Sequence, residues 1–155
     1  MPGLSNNVSH TSRQAKGRQV RRRIDIQASE VTETFSSGTS GFTAVGCSIS
    51  NPTGAELKII TGVGQNNGYA HKEYTLVSGV NYTYSVDQTV AAALGGGHIK
   101  IGTSAGDGTY IDIEADTVDT YTGNFTPTQN SVFLSLFLDM QRKNMSWDNI
   151  SITET

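Results

Sequence analysis

One eight-residue stretch limits the fold more than any other. In Ser131-Val-Phe-Leu-Ser-Leu-Phe-Leu138, six of eight side chains are large and apolar, and they fall on both faces of an extended chain. An edge strand with one wet face would alternate apolar with polar, whereas a run apolar on both faces asks for shelter on both. Residues 131–138 therefore predict a central strand, and a central strand requires a sheet around it.

The rest of the chain supplies that sheet in short pieces. Residues 81–87 place Tyr82, Tyr84 and Val86 on one face, residues 98–103 place Ile99 and Ile101 inward, and residues 109–114 do the same with Ile111 and Ile113. Further strands are expected at 31–36, 42–49, 55–61, 68–76 and 120–125. Residues 88–94 fit a helical turn, a strand or a loop. In the last strand, residues 146–153, strict alternation puts Asp148, Ile150 and Ile152 on one side and Trp147, Asn149, Ser151 and Thr153 on the other.

Between these pieces lie turn sequences. Asn51-Pro52-Thr53-Gly54 combines a fixed φ at proline with a permissive glycine, and Ser104-Ala-Gly106-Asp107-Gly108 is a hairpin signal. With 17 glycines and 16% charged residues, the composition suits strands and turns better than helices. About ten short strands at regular spacing predict an all-β chain, an antiparallel β-sandwich or jelly roll, because two stacked sheets bury both inner faces.

Charge divides the chain in two. Arg13, Lys16, Arg18, Arg21, Arg22 and Arg23 form a basic run with no acid before Asp25, whereas from residue 24 onward five bases face fourteen acids. Residues 1–28 hold too few large apolar side chains to offset their own ordering entropy, so they read as an extended N-terminal arm that a partner would order. Residues 29–155 read as the sandwich domain. The arm suits phosphates or an acidic protein surface; without interleaved aromatics or a recognition helix, the protein surface is favoured over nucleic acid.

No catalytic constellation stands out, and the chain is expected not to be an enzyme. His10, His71 and His98 lack zinc-like spacing and read as surface histidines. Asp112, Glu114, Asp116 and Asp119 read as a solvated acidic turn. Gly95-Gly96-Gly97 lacks the lysine and helix of a phosphate loop. Cys47 is a lone cysteine, so no disulfide forms within one chain, and it reads as a buried thiol. No signal peptide or membrane span is legible, so synthesis in a cytoplasm is expected, with no membrane partner. The five Asn-x-Ser/Thr sequons at Asn7, Asn81, Asn124, Asn144 and Asn149 then follow from composition alone.

The order of features from residue 31 to 155 resembles the galactose-binding-like jelly rolls of carbohydrate-binding module families four and nine, a fold also found in bacteriophage virion proteins. The resemblance rests on Phe35-Ser-Ser-Gly-Thr-Ser-Gly-Phe42, Val77-Ser-Gly-Val-Asn-Tyr82-Thr-Tyr84-Ser-Val86, Ile99-Lys-Ile101-Gly102, Gly123-Asn-Phe125-Thr126-Pro127-Thr128 and Trp147-Asp148-Asn149-Ile150-Ser151-Ile152. It implies a structural calcium near the sandwich edge with Asp148 in the ligand position; backbone donors are the other way to satisfy that carboxylate. It also implies aromatic platforms for sugar, for which Tyr69, Tyr110, Tyr121 and Trp147 are the candidates.

Combined with the arm, the resemblance gives the expected function: a non-enzymatic bacteriophage virion structural protein, a capsid decoration or cement protein anchored through its basic arm. Its expected partners are the major capsid protein or a tail or fibre component, and its expected assembly is a homo-oligomer, with a trimer favoured. The second expectation is a glycan-binding adhesion module of a phage fibre, recognising a cell-surface glycan.

Overall fold

The computed structural model describes residues 30–155. The arm and its basic residues Arg13, Lys16, Arg18, Arg21, Arg22 and Arg23, with His10, lie outside the described residues. Eleven strands form the body: β1 (Val31–Glu33), β2 (Thr43–Val45), β3 (Ser48–Ser50), β4 (Leu57–Ile60), β5 (Gly68–Thr75), β6 (Tyr82–Val90), β7 (Gly97–Gly102), β8 (Ile111–Glu114), β9 (Thr120–Phe125), β10 (Ser131–Leu138) and β11 (Asn144–Glu154). No helix occurs among the described residues.

The strands form two antiparallel sheets. The first has the order β3-β4-β11-β6-β9, with β1 added against β11 beyond the end of β4; the second has the order β2-β5-β10-β7-β8. The all-β sandwich expected from the periodicity is the fold observed. As its composition requires, β10 sits at the centre of its sheet, paired on one side with β5 and on the other with β7. Residues 88–94, open to three readings, carry β6 to Val90 and then turn away as a loop.

Alternation decides what is buried. From the first sheet Leu57, Ile59, Tyr82, Tyr84 and Val86 point inward; from the second, Ala70, Ile99, Ile101, Val132, Leu134 and Leu136 do, and all are at most 2% exposed. At roughly 2 kcal/mol for each large side chain removed from water, this layer is the main source of stability. Tyr74, buried beside it, has its phenol pushed up first by desolvation and then by the charge of Glu33. The Lys72–Glu33 ion pair joins β5 of one sheet to β1 of the other, with the Lys72 ammonium 5.4 Å from the Tyr74 ring centre.

Two expectations are corrected by the backbone. Residues 42–49 are not one strand: Gly46, at φ +64°, turns the chain from β2 in one sheet to β3 in the other. The terminal strand also breaks its alternation. Asp148 pairs with Asp87 and Ser151 with Ser85, so β11 carries one extra residue there, and Asn149 adopts φ +45°. The bulge reverses the expected sides. Trp147 joins Met145, Ile150 and Ile152 in the core, fully buried, while Asp148 is moved off the inner face and is half-buried.

Candidate functional site

The outer face of the second sheet carries a cluster of aromatic side chains. The same alternation that sends Leu134 and Leu136 inward sends Phe133, Ser135 and Phe137 outward from β10. Strand register sets Tyr69 beside Phe137 and then His98, and sets His71 beside Ser135 and then Lys100; Glu73 lies beside Phe133. Four rings stand in a row of contacts: Tyr69 stacks on Phe137 with centroids 4.6 Å apart, His71 is 5.9 Å from Tyr69, and Phe133 is 6.1 Å from His71.

The face is divided into three zones. On the β7–β8 side it is filled by paired polar side chains: Lys100 Nζ lies 3.2 Å from Asp112 Oδ2 and 5.0 Å above the Phe137 ring, and His98 Nε2 lies 3.2 Å from Asp139 Oδ2.

The centre is covered by the β7–β8 loop. Gly106 N donates to Ser135 Oγ at 2.9 Å, and a Cβ added at Gly106 would come within 3.3 Å of the Tyr69 phenol. At φ +81° glycine is the residue that fits this close approach. Asp107 holds the loop in shape, accepting from the N–H and hydroxyl groups of both Thr103 and Thr109. These donors, the Thr109 hydroxyl first and the Thr103 amide next, hold its carboxyl down at about 2.

The third zone, on the β2–β5 side, is open. A pocket of about 320 Å3 is lined by Gly41, Thr43, His71, Lys72, Glu73 and Phe133. His71 lines it, and the Nδ1 of its ring is buried without a hydrogen-bond partner. Glu73 accepts a hydrogen bond from Ser131 and is otherwise exposed. The rim at Gly41 belongs to the β1–β2 connection, which is fixed from below: Phe35 packs on Phe42, and Asn51 Nδ2 donates to the carbonyls of Phe35 and Gly38. An apolar ring, an imidazole and a carboxylate converge on one small volume. Such a set can grip a polyhydroxylated ring by one apolar face and its hydroxyl edge.

The residues singled out from the sequence are scattered. Tyr69 belongs to this face, under the covering loop. Tyr110 stacks on Phe125 and bonds Thr128 through its hydroxyl, closing the sandwich edge. Tyr121 packs against the core and bonds Thr117. Trp147 is fully buried and has no ring face to present. The acidic group is dispersed in structural work: Asp112 pairs with Lys100, Asp116 accepts from Gly97 N, and Asp119 accepts from Thr120 N. Cys47 is half-buried, and desolvation raises its thiol pKa. The pocket residues Phe133, His71 and Glu73 were missed; the available signal was that Phe133 and Phe137 take the opposite parity from the leucines of β10.

Asp148 was also the expected calcium ligand. One of its oxygens is buried and unpartnered, but the acid opposite, Asp87, is already engaged by Thr120 and Asn149. No three His, Cys, Asp or Glu side chains converge among the described residues.

No protein-family model matches the chain, and no curated protein sequence matches it. Solved structures do resemble it. The apo CBM1 module of BiXyn10A superposes with a TM-score of 0.60 at 16% identity, covering 82% of this chain and 97% of that one. The C-terminal CBM6 of LamC, a laminarinase from Zobellia galactanivorans, gives 0.54 at 13% identity, covering 81% and 99%. The CBM22-1–GH10 modules of Clostridium thermocellum xylanase 10B, complexed with xylohexaose, give 0.55 at 16% identity, covering 81% of this chain. This chain spans 28% of that xylanase chain. The architecture is therefore the jelly-roll β-sandwich of these modules.

Proposed function

We propose that the described body is a non-enzymatic glycan-binding module whose sugar site is the pocket between β2, β5 and β10. The observation that carries this reading is the convergence of the Phe133 ring, the His71 imidazole and the exposed Glu73 carboxylate on one small volume. Sugar rings have an apolar face that stacks on an aromatic ring and hydroxyls that bond to polar side chains at its edge. The similarity to modules of xylanases and a laminarinase supports the same class of ligand.

Binding of neutral oligosaccharides, measured by calorimetry for wild type, Phe133→Ala and His71→Ala, tests the assignment. Losing a ring stack worth about 1–1.5 kcal/mol weakens binding roughly tenfold in Phe133→Ala. Tyr110→Phe leaves binding unchanged. Equal affinity in wild type and Phe133→Ala refutes the site, and absence of binding to any saccharide refutes the function.

The cationic arm of residues 1–28 gives the module an attachment in this proposal, on an acidic surface of a phage particle, where an oligomer would present several pockets to host glycans. The contrast between the basic arm and the acidic body supports it. Particles that retain the chain at full occupancy after deletion of residues 1–28 would show that the arm is not the anchor.

A further inference from the structure

We infer that this pocket takes the terminal unit of a neutral glycan rather than an internal stretch of chain; the inference rests on the glycan-binding reading. A glycan bound along a sheet face needs a row of exposed rings or polar groups across several strands. Here that row is closed in two of its three zones. Gly106 sits on Tyr69 and Phe137 and bonds Ser135, so Phe137 is left 8% exposed. Beyond it, His98 and Lys100 are already engaged by Asp139 and Asp112. A chain leaving the pocket toward β7 meets the loop and then these paired side chains.

The cover is built in. Asp107 ties both ends of the loop to itself through four hydrogen bonds, and its peptide neighbour Gly106 is bonded to the sheet. What remains open is about 320 Å3, near the lower bound of about 300 Å3 for small-molecule pockets, which suits about one or two sugar units.

Charge narrows the class of sugar. Lys72, the cation of the lining, is paired with Glu33, whereas Glu73 is an exposed carboxylate bonded by Ser131. The pocket therefore offers an acceptor to vicinal hydroxyls and repels a sugar acid.

The test is an array of neutral oligosaccharides of one to six units, in which each sugar occurs both at chain ends and internally, with uronic acid versions alongside. The expected hits share a terminal unit, whatever follows it, and disappear when that unit is a uronic acid. In solution, affinity for a hit should change by less than about threefold as the chain is lengthened, because added units find no further ring to stack on. Hits that share an internal motif, or affinity rising roughly fivefold or more with each added unit, overturn the inference while leaving the glycan-binding reading intact. No hit at all overturns both. Asp107→Ala, which frees the loop from Tyr69 and Phe137, should introduce a dependence on chain length; unchanged length-independence in this variant would show that the loop is not what limits the site.

Discussion

Trp147 offers a test in which two opposing effects of similar size meet. The ring is fully buried opposite Gln88, and its indole N–H has no acceptor. Burying an unpaired donor of this kind costs about 1–3 kcal/mol by protein mutational measures. Trp147→Phe removes the donor and leaves a void of about 40 Å3, which at about 24 cal/mol per Å3 costs about 1 kcal/mol, with a similar term for lost contacts. The two sides nearly cancel, so the variant should lie within about 1 kcal/mol of wild type. Trp147→Ala removes the whole ring and should cost about 3–5 kcal/mol. Urea unfolding followed by far-ultraviolet circular dichroism measures both, since the substitution deletes the chain's single tryptophan. A loss above about 2 kcal/mol in Trp147→Phe would mean that the indole N–H has a partner, and the reasoning would fail.

Acid provides a second test, because hydrogen bonds hold the folded carboxyl of Asp107 at about 2, below its ordinary value of 3.8. A folded value below the unfolded one means that the stabilisation is intact above 3.8 and is lost as pH falls through about 2. Wild type should lose stability across that window by more than Asp107→Asn does; parallel declines in their urea midpoints would contradict the assignment. Tyr110→Phe, in turn, deletes the hydrogen bonds to Thr128 and should lower stability by about 1 kcal/mol while sparing glycan binding. Reduced glycan affinity at unchanged stability would instead make Tyr110 a ligand contact.

The periodicity of single strands was enough for the architecture. Residues 131–138 require a central strand whichever residues flank them, and Tyr82, Tyr84, Val86, Ile99 and Ile101 declare their inner face by parity, because a side chain's side in a regular strand depends on the chain alone. Parity failed where the chain is irregular. One extra residue after Asp148 put Trp147 in the core and took Asp148 off the inner face; a bulge arises from pairing with β6, which no reading of β11 by itself contains.

The candidate site was less legible still. Tyr69 was identified as an aromatic of interest, but aromatic type does not tell whether a ring is open, covered or part of the core. That was decided by contacts distant in sequence: Gly106 over Tyr69, Phe137 and Ser135; Asp112 and Asp139 on Lys100 and His98; and Gly41 at the rim beside His71 and Phe133. The sequence by itself determined a two-sheet body with an aromatic-rich central strand. Tertiary structure decided which of those aromatics meet solvent, because exposure depends on what other segments pack above a residue, and local alternation carries no record of that.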